Sequence, residues 1–129
     1  MALSQINAVK PDFGKSGRKL LPVVLQNITN GEVLFAAFTN EQAFRLSLAE
    51  GKVHLWSRSR RELWLKGETS GDFLKLVEAR INCNEDSLLY LVKPLGKGVC
   101  HNQDENGINY QTCYYRTIAY RYRPMNKEG

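Results

Sequence analysis

Long apolar runs are absent from this sequence. The longest stretches, such as Leu20–Leu25, and shorter ones such as Leu88–Val92, fall far below the roughly 20 residues that a membrane-spanning helix requires. Residues 1–19 contain no apolar signal core and are interrupted by a proline and two glycines. We therefore expect a flexible N-terminal arm over residues 1–19, a cytoplasmic location and no membrane partner.

Cysteine is scarce, with Cys83, Cys100 and Cys113 as the three in 129 residues. An odd number of thiols in a protein expected to be cytoplasmic argues against a disulfide framework. Three thiols and an open fourth position would form a catalytic zinc sphere, whereas composition alone favours three unrelated buried thiols. The separations of 17 and 13 residues match no zinc finger, so a zinc site would be assembled from distant segments or from two subunits.

Acidic side chains are outnumbered by basic ones, 13 to 18, which gives a net charge of +5. That excess suits an anionic ligand but does not distinguish nucleic acid from a phosphorylated metabolite. A hydrophobic fraction of 43% and a charged fraction of 24% are typical of one globular domain at this length. We assign that domain to residues 20–124, followed by a C-terminal tail at 125–129.

Local patterns predict an α+β fold, mainly an antiparallel sheet with one clear helix. The spacing of Thr39-Asn-Glu-Gln42 is that of a capping box and predicts a helix that runs to about Ala49 and is ended by Gly51. The apolar face of this helix is formed by Ala43, Phe44 and Leu48.

Two Asn-Gly pairs, Asn30-Gly31 and Asn106-Gly107, are signals for tight turns between strands. Apolar and β-branched residues on either side of such turns are typical of strands. The predicted strands are Leu21–Gln26, Glu32–Phe38, Lys52–Ser57, Glu62–Lys66, Phe73–Asn82, Ser87–Lys93 and Tyr114–Arg123.

Segment 56–71 combines basic side chains with small hydroxyl residues, glycines and two tryptophans. Hydroxyls, backbone N–H groups at glycines and fixed positive charge are partners of phosphate oxygens, and a tryptophan ring offers a face for a base. The pattern therefore indicates a nucleotide site, although it is neither a P-loop nor G-x-G-x-x-G. A solvated, charged hairpin is the alternative. The basic residues are Arg58, Arg60, Arg61 and Lys66.

Two smaller groups could also carry chemistry. Asn82, Asn84 and Asp86 alternate, so their oxygens would share one side of an extended segment and could coordinate a hard cation such as magnesium. A polar turn between two strands is the interpretation that residue chemistry alone favours. His101, next to Cys100, would be a base or proton shuttle if the thiols bind zinc, and a structural histidine otherwise.

These blocks, in this order, resemble the phosphoribosyl-AMP cyclohydrolases of histidine biosynthesis over about Leu21 to Arg116. The resemblance is carried by Trp56-Ser-Arg-Ser-Arg60, Leu63-Trp64, Lys66-Gly-Glu-Thr-Ser-Gly71, Cys83 and Cys100-His101. It implies an intertwined homodimer with active sites at the interface and a small-molecule nucleotide substrate. It also implies zinc-dependent hydrolytic opening of the N1–C6 bond in the adenine ring of phosphoribosyl-AMP.

The resemblance further implies roles for individual residues. Zinc would be held by Cys83 of one subunit and by Cys100 and Cys113 of the other, and His101 would handle protons. The residues expected to bind substrate are Trp56, Ser57, Arg58, Ser59, Arg60, Trp64, Lys66, Gly67, Glu68, Thr69 and Ser70.

The resemblance implies a magnesium site as well, formed by Asn82, Asn84 and Asp86. The family's metal row reads Asp-Cys-Asp-x-Asp, so two carboxylates are replaced by amides in this chain. Each asparagine keeps a carbonyl oxygen but loses a charge, and magnesium affinity should fall sharply. We therefore expect a weakened magnesium site.

The segment between Cys100 and Cys113 is longer than the family's usual connection, with residues 104–109 as the apparent excess. One hypothesis is that Asp104 or Glu105 replaces the lost carboxylates. Three other functions stay open: a diverged paralogue acting on another purine nucleotide, a nucleic-acid-binding module, and a structural zinc dimer. The grouping of positive charge with three thiols favours a small substrate over nucleic acid.

Overall fold

The computed structural model describes residues 9–14, 17, 19–119, 122 and 124. Within these residues the chain forms one helix beside a six-stranded sheet, an α+β arrangement as predicted. The elements are β1 (Leu21–Asn27), β2 (Val33–Thr39), α1 (Glu41–Glu50), β3 (His54–Ser57), β4 (Glu62–Leu65), β5 (Leu74–Ile81) and β6 (Leu88–Pro94). In this described part of the chain no helix has the length and apolar character needed to cross a membrane.

The strands form a single mixed sheet in the order β4-β3-β2-β1-β6-β5. Most pairs are antiparallel, but β1 and β6 run parallel, with Val23 opposite Leu88. The expectation of a mainly antiparallel sheet missed this pairing. The physical reason is that parallel strands cannot be joined by a short turn, so a turn motif in the sequence cannot predict their pairing.

The sheet curls until β5 meets the segment that leads into β3. The Val53 amide donates to the Leu74 carbonyl at 3.0 Å, and the Leu76 amide donates to the Gly51 carbonyl at 2.8 Å. Aliphatic side chains from five of the strands fill the space that the curl encloses, which removes their surface from water. The buried cluster includes Val23, Leu25, Leu34, Val53, Leu55, Leu74, Leu88, Tyr90, Val92 and Val99.

Helix α1 begins one residue later than the capping box predicted. Asn40, not Thr39, is the N-cap, because its side-chain oxygen accepts from the Ala43 amide at 2.8 Å. Gly51 ends the helix in the left-handed conformation at φ 74°, as predicted. The predicted apolar face was wrong at Leu48, which is 54% exposed. It lies five residues after the buried Ala43 and therefore about 140° further round the helix.

The two Asn-Gly turns are confirmed, since Gly31 and Gly107 both have a φ of 77°. The predicted last strand, Tyr114–Arg123, is wrong for residues 114–119, which pair with no strand in the described part of the chain. Residues 120, 121 and 123 lie outside the described residues. Side-chain packing replaces strand pairing here, because the Tyr115 ring stacks on the Tyr110 ring with 3.6 Å between centroids.

Part of the predicted N-terminal arm contacts the domain. The Asp12 amide donates to the Glu85 carbonyl at 2.9 Å, and the Phe13 ring lies 5.8 Å from the Phe44 ring of α1. These contacts connect the turn between β5 and β6 with the helix. Residues 1–8 and the predicted tail at 125–129 lie outside the described residues, so the flexibility of the arm stays a prediction.

Candidate functional site

Two of the three cysteines come together although they lie on different segments. Cys113 is tied to the start of β2, since its amide donates to the Leu34 carbonyl and the Thr112 hydroxyl donates to the Val33 carbonyl, both at 2.8 Å. Cys100 is buried in the loop that follows β6. The two thiols interact directly, and burial together with Cys100 raises the pKa of the Cys113 thiol to about 11.

The backbone around Cys100 is held from several sides. The Val99 and Cys100 amides both donate to the Tyr110 carbonyl at 2.9 Å, and the Cys100 carbonyl accepts from Asn109 Nδ2 at 2.7 Å. The Asn102 amide donates to Cys100 Sγ at 3.4 Å. The chain therefore presents this thiol from a fixed segment.

A buried lysine lies beside the two thiols. Lys66 is 8% exposed, and its Nζ donates to the Val99 carbonyl at 2.6 Å. Burial lowers the pKa of the Lys66 ammonium, while the charges of Asp72, Cys113 and Cys100 act in the opposite direction. Its positive charge would stabilise thiolates at this position.

Asp72 is a buried carboxylate that the sequence did not single out. It is 9% exposed, its Oδ1 accepts from the Gly98 amide at 3.4 Å, and its charge acts on Lys66. The segment predicted to bind phosphate ends one residue earlier, at Gly71. The only sequence signal was an acidic residue directly after a glycine, which is typical of many turns.

Cys83 does not join the other two cysteines within one chain. It lies in the turn between β5 and β6, whereas Cys100 follows the opposite end of the same hairpin. The seven residues of β6 place roughly 20 Å between those ends. Accordingly, the described residues contain no group of three or more His, Cys, Asp or Glu side chains placed to hold a metal. Cys100 and Cys113 fit two of the positions in a zinc sphere.

The turn between β5 and β6 is closed by its own hydrogen bonds. The Asp86 and Ser87 amides both donate to the Asn82 side-chain oxygen at 2.9 Å, and Asn82 Nδ2 donates to Asp86 Oδ1 at 2.7 Å. The amide group of Asn82 therefore donates to one of the two carboxylate oxygens of Asp86. These residues fit a polar turn rather than a magnesium site.

The segment predicted to bind phosphate is divided between the two ends of the β3–β4 hairpin. Residues 58–61 lie in the exposed turn, where the Arg58 guanidinium is 3.9 Å from the centre of the Phe38 ring. Lys66 follows the opposite end of the hairpin, where it interacts with the thiols, and residues 67–70 come directly after it. One chain therefore does not bring these two groups together.

The two tryptophans point to opposite faces of the sheet. Trp64 pairs with Leu55, so the two share a face, and the Trp64 ring packs 6.4 Å from the Phe35 ring against the core. Trp56 directly follows Leu55 on the same strand and points the other way. Trp56 is thus the tryptophan on the outer face, beside Ser57, whose hydroxyl oxygen accepts from a backbone amide of the arginine turn.

His101 is exposed directly after Cys100. The apparent excess that follows it forms a short hairpin in which Gln103 bridges to Asn109. The Asp104 carboxylate accepts from the amides two and four residues later, at 2.8 and 3.0 Å. These bonds give Asp104 a role in its own turn, and the hypothesis that Asp104 or Glu105 supplies oxygens for magnesium stays a prediction.

The residues of the candidate site lie within the part of the chain that is similar to known proteins. Residues 35–115 match the family model described as Phosphoribosyl-AMP cyclohydrolase. The phosphoribosyl-AMP cyclohydrolase of Archaeoglobus fulgidus is 46% identical over 99 residues, which cover 77% of this chain and 85% of that protein. That of Nitratidesulfovibrio vulgaris is 40% identical over 113 residues, covering 88% and 84%. A histidine biosynthesis bifunctional protein of Aquifex aeolicus is 38% identical over 110 residues, covering 85% and 50%.

Proposed function

The chain belongs to the phosphoribosyl-AMP cyclohydrolase family, and we propose that it carries out the reaction for which the family is named, in histidine biosynthesis. The finer proposal is zinc-dependent hydrolysis of the N1–C6 bond in the adenine ring. The observation that carries it is the meeting of Cys100 and Cys113 beside His101, because paired thiols next to a titratable group are suited to metal-assisted hydrolysis.

We propose that a homodimer completes the site. Cys100 and Cys113 supply two ligands, and Cys83 lies too far along the β5–β6 hairpin to reach them within one chain. A second copy that places its own Cys83 at the pair would provide the third thiol. Zinc held in this way would activate a water molecule for attack on the ring carbon.

Within this proposal, His101 moves the proton that the departing ring nitrogen must receive, since it is exposed beside the buried Cys100. Phosphoribosyl-AMP carries a phosphate on each of the two ribose groups attached to its adenine ring. The two ends of the β3–β4 hairpin offer separate anion-binding groups, the arginine turn at 58–61 and the loop at 67–70. We assign one phosphate to each group, and Trp56 on the outer face remains available to stack on a ring.

The test follows the ultraviolet absorbance of phosphoribosyl-AMP with zinc-loaded protein, with chelated protein and with His101→Asn. Ring opening should require zinc, and loss of His101 should lower kcat by about 10²- to 10⁴-fold, with zinc still bound. Turnover that persists in thoroughly chelated protein would contradict zinc dependence.

Phosphate binding by the arginine turn is tested separately. Arg58→Gln and Arg60→Gln should raise KM, because each removes a charge from the exposed turn. Arg45→Gln is the matched control, since Arg45 is an exposed arginine on α1 that pairs with Glu41 at 2.7 Å. Equal KM values in all three variants would remove the turn from the binding site.

The turn at Asn82 favours one second candidate, a diverged paralogue that acts on another purine nucleotide. The hydrogen bond from Asn82 to Asp86 closes the turn where the family's sequence pattern has carboxylates. If folded, zinc-loaded protein fails to open phosphoribosyl-AMP but hydrolyses a different purine nucleotide in a screen, this second function replaces the first.

A further inference from the structure

Lys66 lies apart from the other basic residues of its segment. It follows β4 at the end of the β3–β4 hairpin that is opposite the arginine turn, and its side chain is 8% exposed. A side chain that binds a substrate phosphate must direct its hydrogen-bond donors towards the solvent-accessible space that the substrate enters. The Lys66 ammonium instead donates to the Val99 carbonyl at 2.6 Å and lies 5.9 Å from the centre of the Phe35 ring.

The Val99 carbonyl belongs to the residue directly before Cys100. On the other side of this segment, the Val99 and Cys100 amides donate to the Tyr110 carbonyl at 2.9 Å. The peptide units around Val99 are therefore hydrogen-bonded on one side to the Lys66 ammonium and on the other to the Tyr110 carbonyl. Loss of the Lys66 hydrogen bond would let the peptide between Val99 and Cys100 rotate, and the Cys100 thiol would then move relative to Cys113.

Charge supports the same role. The negative groups that act on the Lys66 ammonium are Asp72, Cys113 and Cys100. Asp72 in turn accepts from the Gly98 amide at 3.4 Å, so the two buried charges bond neighbouring backbone groups of one short segment.

We propose that Lys66 is a positioning residue for the Cys100–Cys113 thiol pair rather than a ligand of the substrate phosphate. This inference rests on the proposed zinc site. It assigns to Lys66 a role different from that of the other basic residues in its segment, Arg58 and Arg60. Outer groups that orient metal ligands typically affect metal affinity about 10- to 100-fold.

The test compares Lys66→Met with Lys52→Met in the full chain. Methionine keeps the stem of Lys66 in its apolar surroundings but removes the charge and the donor. Lys52 is the matched control, because it is an exposed lysine whose Nζ lies 4.4 Å from the centre of the Phe73 ring. Zinc affinity is measured by competition with a chromophoric chelator, and KM is measured on zinc-saturated protein.

We expect Lys66→Met to weaken zinc binding by about 10- to 100-fold with KM changed by less than about twofold, and Lys52→Met to match the wild type in both. Unchanged zinc affinity with a raised KM would overturn the proposal and return Lys66 to the phosphate site. If Lys66→Met does not fold by circular dichroism, Lys66→Gln is used with the same expectation. A wild type that binds no zinc would instead remove the proposed function itself.

Discussion

Burial and the neighbouring Cys100 raise the pKa of the Cys113 thiol to about 11, from an ordinary value of 9.0. Between these two pH values the unfolded chain loses this proton before the folded protein does. The contribution of the neutral thiol to stability is therefore fully present below about pH 9 and is lost as the pH rises towards 11.

For metal-free protein we expect the free energy of unfolding to fall more steeply between pH 9 and 11 in the wild type than in Cys113→Ser. Urea unfolding at a series of pH values measures both slopes. Cys83→Ser is the control and should follow the wild type, since Cys83 lies in the turn between β5 and β6, away from the Cys100–Cys113 pair. Parallel slopes for wild type and Cys113→Ser would contradict the environment described for this thiol.

A second residue-scale prediction concerns Asn82. Asn82→Asp removes the amide that donates to Asp86 Oδ1 and places two carboxylates side by side. We expect the variant to lose about 1 kcal/mol of stability without divalent cations and to regain it when magnesium is added. Thermal unfolding with and without magnesium chloride measures the effect, and wild-type protein should show no comparable shift.

The control for that variant is Asn30→Asp. Asn30 also sits in a hairpin turn, but its side-chain oxygen accepts from the Glu32 amide at 2.9 Å, and aspartate keeps that acceptor. It should gain no stability from magnesium. If magnesium stabilises the wild type as strongly as Asn82→Asp, the turn is a cation site after all and the Asn82–Asp86 bond does not exclude the ion.

At the scale of elements, the hairpin at 103–109 supports the segment that carries Cys100. Asn109 donates to the Cys100 carbonyl at 2.7 Å, and a Cβ at Gly98 would collide with the Asn109 side chain. We expect Asn109→Asp, which replaces a donor by an acceptor at a partly buried carbonyl, to cost about 1–3 kcal/mol in urea unfolding. Asn106→Asp at the exposed tip is the control and should cost little.

If Asn106→Asp and Asn109→Asp cost the same, the hairpin is an independent surface loop. If only Asn109→Asp is destabilising, the apparent excess in the sequence is part of the support for the thiol pair. Deletion of the whole hairpin would be less informative, because it would also displace the Tyr110 carbonyl that accepts from the Val99 and Cys100 amides.

The packing of α1 on the sheet gives another prediction at this scale. The Tyr90 hydroxyl on β6 is buried and makes no hydrogen bond within the described residues. The Thr39 and Ser47 hydroxyls lie near enough to lower the pKa of Tyr90 against the larger effect of burial, but Thr39 donates to the Asn40 carbonyl at 3.1 Å and Ser47 to the Ala43 carbonyl at 2.9 Å. Burial raises the pKa of Tyr90, so the hydroxyl stays neutral.

Because this hydroxyl is buried without a bond, we expect Tyr90→Phe to leave stability unchanged or to raise it by up to about 1 kcal/mol. Tyr115→Phe is the contrasting variant, because the Tyr115 hydroxyl accepts from Asn102 Nδ2 at 3.0 Å, and it should be slightly destabilised. Urea unfolding compares the two. A large loss of stability in Tyr90→Phe would mean that its hydroxyl has a partner, such as an enclosed water.

At the scale of the whole molecule, the proposed shared site predicts complementation between two inactive proteins. Cys83→Ser and Cys113→Ser should each lose zinc-dependent turnover. After mixing, unfolding and refolding together, about half of the dimers are mixed and each contains one intact site, so about a quarter of the activity should return. Recovery of no activity, with mixed dimers verified by mass spectrometry, would place all three cysteines in one subunit.

How much of this molecule could be predicted depends on whether a feature is local or distant. The turns at Gly31, Gly51 and Gly107 were predicted, because a residue and its immediate neighbours decide them. The parallel pairing of β1 with β6 was not, because no local signal reports a partner so far along the chain.

The same division holds for the candidate site. The residues alone offered three cysteines as possible zinc ligands, and the resemblance to a family placed Cys100 and Cys113 in one subunit; the two thiols do interact, while their role as zinc ligands stays a prediction. The sequence grouped Lys66 with the arginines, because they are neighbours in sequence, whereas the hairpin separates them in space. It overlooked Asp72, whose importance comes from burial beside Lys66 and not from any motif.

The position of β1 inside the sheet has a consequence for how the protein is made. Its antiparallel partner β2 leaves the ribosome soon after it, but its parallel partner β6 is the last of the described strands to emerge. Until then one edge of β1 carries unsatisfied backbone groups and a row of exposed aliphatic side chains. The nascent chain therefore passes through a long stage in which it is open to association with other chains, and chaperone binding is expected to matter most at that stage.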